Sequence, residues 1–167
     1  MKNKPIIIVA GEPKSVFFEI LFKSLKSNPY KSPLILIASL KILKLQMKKF
    51  KFNKKIKIIS LNNLNKLKLN NTTINLIDVK LEDKNSYIRD CFDISFKILN
   101  SQITNKFING PVNKTKFLNK KFLGITEYIS NKFKVINTGM LIYNKELSVS
   151  PLTTHLPIKL VSKKINQ

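Results

Sequence analysis

Four short stretches join glycine or proline to side chains capable of chemistry. They are Gly11-Glu12-Pro13, the run NGPVNK at 109–114, the run GITE at 124–127 and TTHLP at 153–157. The last holds His155, the only histidine of the chain. An imidazole in that position can ligate a metal, act as a general base, or bond locally at a strand end. Glu12, Asp78 and Glu127 can each lend a carboxylate oxygen to a hard cation, although their spacing does not group them. Thr126 followed by Glu127 also reads as a helix start, because threonine caps and an acid in the first turn suits the helix dipole. Cys91 has no cysteine partner in the chain, which suits a reducing cytosol. It lies on an apolar helical stripe and reads as packing rather than as a nucleophile.

These residues need elements to position them, and the hydrophobic pattern supplies alternating strands and helices. Pro5 to Ala10 is a short apolar run, the pattern of a buried strand. Ser15 to Leu25 follows with Val16, Phe17, Ile20, Leu21 and Leu25 at helical spacing and Ser15 placed to cap. Pro33 to Ala38 predicts a second strand, and Leu40 to Phe50 a second helix with Ile42, Leu43, Met47 and Phe50 inward. Ile56 to Ser60 and Ile74 to Val79 predict further strands, separated by LNNLNKLKLNNTT, an Asn-rich irregular loop. Ser86 to Asn100 carries one continuous stripe of Ile88, Cys91, Phe92, Ser95, Ile98 and Leu99. Phe107 to Asn109 is a brief strand ended by Gly110-Pro111. Lys114 to Asn119 and Thr126 to Phe133 predict two short helices. Met140 to Tyr143 and Leu147 to Leu152 predict strands joined by Asn144-Lys145-Glu146. A final helix begins at Pro157, with proline in its first turn. No repeat or linker divides residues 1–167, so a single α/β unit with a largely parallel sheet is expected. In such sheets ligands gather at the carboxyl ends of strands, where all four stretches fall.

The formal charge of +22 invites a nucleic-acid reading. Yet among 31 basic residues only Arg89 is an arginine, the residue preferred for bidentate phosphate and base recognition. The lysines are dispersed, as on a solvated basic surface, and can help attract anionic substrates. No apolar run approaches the ~18 residues of a membrane span.

In order and interval the four stretches resemble the 4-hydroxythreonine-4-phosphate dehydrogenase family of vitamin B6 biosynthesis. That family opens with GEPAGIGPE, matched here by GEPKSVFFE, and continues with TGPVxK, matched by NGPVNK. Its GHTE segment is matched by KKFLGITE and its TTHLPL segment by TTHLPI. The resemblance covers the whole chain and about the N-terminal half of the family's length. It implies a three-layer α/β/α fold similar to the isocitrate and isopropylmalate dehydrogenases, here an incomplete unit over 1–167 lacking its C-terminal part. It further implies a cytoplasmic homodimer that oxidises 4-phosphooxy-L-threonine with NAD or NADP, the β-keto acid formed then losing carbon dioxide. A divalent metal (zinc, magnesium or cobalt) held by three histidines polarises the oxygen being oxidised, and one of those histidines falls on His155. The threonine of GHTE, a substrate contact, falls on Thr126, while its histidine is replaced by Ile125. The glycine-rich GIGPE has become SVFFE, and the family's other two metal histidines have no counterpart among residues 1–167. A catalytically inactive truncated or divergent fragment of the family is the alternative expectation. A basic nucleic-acid-binding protein is the alternative from another class.

Overall fold

The computed structural model describes residues 3–27, 29–118, 121–153, 156–163 and 165. The chain divides into two compact units, Met1–Asn113 and Lys114–Gln167.

The first unit alternates strand and helix. Its elements are β1 (Ile6–Val9), α1 (Phe17–Ser27), β2 (Leu34–Ala38), α2 (Leu40–Lys49), β3 (Ile56–Ile58), β4 (Ile74–Asp78), α3 (Lys84–Asn100) and β5 (Phe107–Asn109), with a 3₁₀ turn over Leu61–Lys66 between β3 and β4. The five strands form one sheet in the order β3-β4-β2-β1-β5, and every pairing is parallel. The central strands are the uninterrupted apolar runs. Ile7, Val9, Ile35 and Ile37 are completely buried, as expected where helices cover both faces of a parallel sheet. The edge strands are shorter and more polar, with Lys57 and Ile58 of β3 and Ile108 of β5 exposed.

Strand order and handedness fix the layers. The crossovers β1-α1-β2 and β2-α2-β3 move one way along the sheet, and β4-α3-β5 moves the other. Right-handed connections therefore put α1 and α2 on one face and α3 on the opposite face. The contacts agree. The Phe22 ring of α1 stacks on Phe52, just past α2, with centroids 4.4 Å apart, and meets Phe50 edge-on at 6.1 Å. On the other side Phe92 of α3 meets Phe96 and Phe107 at 5.8 and 5.7 Å. The expected three-layer α/β/α architecture is present.

The helix faces differ in detail from the sequence expectation. In α1 the buried residues are Phe17, Phe18, Leu21 and Phe22, while Val16 and Ile20 are more than half exposed. The large aromatic side chains remove more apolar surface from water than the β-branched pair, so the helix turns that face inward. In α3 the predicted stripe is buried but for a half-buried Leu99, and it is widened by Tyr87 and Phe96.

The second unit contains α4 (Lys114–Leu118), α5 (Ile125–Lys132) and α6 (Ile158–Val161). Phe117 and Phe122 meet Tyr128 edge-on at 5.1 and 5.5 Å and hold α4 and its following loop against α5. The two predicted strands of residues 140–152 reduce to one antiparallel bridge, Ile142 with Val149. Leu141, Tyr143 and Leu147 around it are all at least 65% exposed, and a hairpin that buries so little is marginal.

Candidate functional site

At the carboxyl edge of the sheet β1 and β5 run side by side, with Val9 opposite Asn109. Beyond them the GEP and GPVN turns lock together. The Gly110 N–H donates to Val9 O at 2.7 Å, and the Glu12 N–H donates to Pro111 O at 2.8 Å. The Asn113 N–H then donates to the Glu12 carboxylate at 3.2 Å. The backbones lie so close that only hydrogen fits between them. A Cβ on Gly11 would sit 2.3 Å from Pro111 O, and one on Gly110 would sit 2.3 Å from Ala10 O. Gly11 also has φ +68°, a conformation that L side chains rarely adopt. The two glycines are thus the reason both turns can occupy one place.

Ser15 ties this corner to α1. Its N–H and Oγ–H donate to Glu12 O at 3.1 and 2.7 Å, and its oxygen accepts the Phe17 N–H at 3.4 Å. The hydroxyl therefore serves the start of α1, as its position in the sequence suggests. Beside the locked turns lies a cavity of about 250 Å³, walled by Ile8, Phe17, Ile20, Leu21 and Ile108.

The GITE stretch lies in the second unit and begins a helix, although not where threonine would cap it. Gly124 occupies the cap position of α5, so Thr126 is inside the first turn and exposed. Glu127 is the acid of that turn, with its carboxylate folded back over Gly124. Ile125, in the place where the resembled family has histidine, is half-buried. Thr126 bonds through its backbone, its carbonyl accepting from Ser130 Oγ at 2.8 Å. Thr154 and His155 lie outside the described residues.

Of the carboxylates considered as oxygen donors, Glu12 and Asp78 belong to the first unit and Glu127 to the second. Among the described residues there is no group of three or more His, Cys, Asp or Glu side chains that could hold a metal ion. Asp78 has a different task, its Oδ1 accepting the Leu40 N–H at 2.7 Å across the ends of β4 and β2. Ser39, between β2 and α2, is 97% buried, and its N–H donates to Tyr87 Oη at 2.9 Å. Sequence reading missed both contacts. The available signal was a serine just before a helical pattern. Tyr87 is held above its ordinary range mainly by burial. Burial likewise pushes the Cys91 thiol up to about 12, against a weaker opposing hydrogen bond from Tyr87. A thiol so placed stays protonated and acts as packing, as its stripe suggests.

The pyridoxal phosphate biosynthetic protein PdxA family matches this chain over residues 29–167. The chain belongs to the PdxA family. Its fold is also that of solved structures. One is a 4-hydroxythreonine-4-phosphate dehydrogenase from Klebsiella pneumoniae, with TM-score 0.78 and 20% identity over 99% of this chain and 54% of that one. Another, from Burkholderia phymatum, gives 0.78 and 20% over 98% of this chain and 53% of that one. This PdxA chain thus spans about half the length of these structures. A search of the curated proteins returns no match.

Proposed function

We propose that this PdxA chain carries the N-terminal lobe of a dehydrogenase that oxidises 4-phosphooxy-L-threonine in pyridoxal phosphate biosynthesis, using NAD or NADP. In that reaction the carbon bearing the secondary hydroxyl gives a hydride to the nicotinamide and the hydroxyl loses its proton. The β-keto acid so formed releases carbon dioxide. The observation that carries this reading is the family match over residues 29–167. The fold likeness over nearly the whole chain and the locked GEP and GPVN turns support it. Thr126 is proposed as a substrate contact and His155 as a ligand to a divalent ion, zinc, magnesium or cobalt. The described donors do not fit a complete metal centre on their own, so the metal has no step in the scheme above. Assembly as a homodimer in the cytoplasm belongs to the same proposal. Among the described residues no helix is long and apolar enough to cross a membrane.

The test is NAD or NADP reduction by the chain with 4-phosphooxy-L-threonine and a divalent metal, both alone and joined to the C-terminal half of a solved relative. Turnover in the joined form that disappears in Thr126→Ala and His155→Ala supports the reading. Ile125, where the resembled family has histidine, favours a second reading, a catalytically silent member. Absence of turnover in the joined form, under conditions where the intact relative is active, selects that reading instead. Calorimetric titration of zinc separately checks His155, whose replacement by alanine should abolish metal binding; undiminished affinity refutes the ligand assignment.

A further inference from the structure

The carboxyl ends of β2 and β4 are neighbours in the sheet, yet the chain leaves them toward opposite faces, from β2 into α2 and from β4 toward α3. That divergence opens a crevice, the place where parallel α/β sheets receive ligands. Here it has a volume of about 460 Å³ and is lined by Ser39, Lys41, Lys44, Asp78 and Lys80 among others. It is distinct from the corner at Gly11 and Gly110, and its argument is independent of the function proposed above.

Three features of the crevice suit a phosphate. The ten-residue helix α2 starts there, and the first-turn N–H groups of a helix favour an anion. Asp78 engages the Leu40 N–H only. Ser39 is the second feature. It is the cap residue of α2 and 97% buried, but its hydroxyl makes no capping hydrogen bond and finds no other partner among the described residues. The residue lines the crevice, so this unpaired hydroxyl is a donor that a ligand there can engage. Third, Lys41 and Lys44 lie three apart on one side of α2 and Lys80 stands across from them at the end of β4, all exposed. Three cations thus face a single carboxylate that is already bonded to the backbone.

We propose that the crevice between β2 and β4 binds the phosphate group of a small anion, with the α2 first-turn amides and the Ser39 hydroxyl as donors and Lys41, Lys44 and Lys80 as counter-charges. Dispersed lysines elsewhere attract phosphate diffusely; the unpaired Ser39 hydroxyl and the helix start make this place a site.

The test titrates inorganic phosphate into the full chain at low ionic strength, following backbone amide shifts by NMR. Saturable shifts centred on Ser39, Lys41 and Ile42 are expected. The Lys41→Gln/Lys44→Gln pair and Lys80→Gln should each weaken binding at least about fivefold, the scale of a lost charge-assisted hydrogen bond. Ser39→Ala should also weaken it. Asp78→Asn keeps the oxygen that accepts from Leu40 and removes the opposing charge, so it should tighten binding, a gain that misfolding cannot imitate. O-phosphoserine separates the sources: tighter binding than inorganic phosphate assigns a phosphate monoester, and equal or weaker binding assigns the free ion. Non-saturable shifts, or an equal loss in the control Lys48→Gln/Lys57→Gln, would overturn the proposal.

Discussion

Glu12 and Asn113 are 101 residues apart in sequence, and the carboxylate of one accepts the backbone N–H of the other at 3.2 Å. With the bond from the Glu12 N–H to Pro111 O, this closes two turns into one structure. The consequence is that Glu12 contributes to the fold of the corner before any chemistry is asked of it. Glu12→Ala should lower stability by about 1 kcal/mol. Glu12→Gln keeps an acceptor and should lose less than half of that. Urea midpoints with unchanged slopes check the pair; equal midpoints for wild type and alanine variant would show the bond to be incidental.

The glycines of this corner allow a sharper test. Gly11→Ala and Gly110→Ala each force a methyl group to 2.3 Å from a backbone oxygen, and neither backbone is free to withdraw. Each should cost at least about 2 kcal/mol. Gly139 has nothing within 4 Å of its added Cβ, so Gly139→Ala should change stability by less than about 0.5 kcal/mol. Thermal unfolding should place Gly139→Ala near wild type and both other variants well below it.

What was legible in the sequence was what depends on local pattern. The apolar runs at Ile7 and Ile35 gave buried parallel strands because burial on both faces leaves no alternation to misread. Phe107 to Asn109 was bounded correctly because Gly110-Pro111 ends it. Missed features depend on residues distant in sequence. That Gly11 and Gly110 meet, that Asp78 caps α2 and that Ser39 bonds to Tyr87 are set by strand order, which no local window contains. The inward face of α1 was misassigned because its apolar residues nearly surround the helix and tertiary packing chose among them. Of the candidate site, the GEP and GPVN stretches were placed together by the fold, whereas Thr126 lies in the other unit.

Asn71 shows how a polar loop can hide structure. It lies in the Asn-rich stretch that reads as an irregular loop, yet its Oδ1 accepts the Leu34 N–H at 2.8 Å. Its amide donates to Tyr30 O and Ser32 O, both at 2.8 Å. One side chain thus holds the entrance to β2. Asn71→Ala should cost about 2 to 3 kcal/mol. Asn71→Asp keeps the acceptor but sets a carboxylate oxygen against two carbonyls, and should also destabilise. Hydrogen exchange at the Leu34 amide should quicken in both variants; protection equal to wild type would show that the loop is held by other means.

The last prediction concerns alkaline pH. Burial raises Cys91 from its ordinary value of 9.0 to about 12 in the folded chain. A raised value means that the folded state holds this proton more tightly than the unfolded state does. The stabilisation is therefore fully present below about pH 9 and is lost as pH rises toward about 12. Tyr87 shifts in the same direction, again chiefly through burial, and adds to the loss at higher pH. A variant lacking the thiol isolates the term. Cys91→Ala should be less stable at pH 7 by about 1 to 2 kcal/mol, because a buried side chain is shortened. Between pH 9 and 11 the gap to wild type should narrow, because only wild type has a thiol that ionises in the unfolded chain while burial keeps it protonated in the folded one. Urea unfolding at half-unit pH steps measures it, and a constant gap would mean that the Cys91 thiol ionises as easily in the folded chain as in the unfolded one.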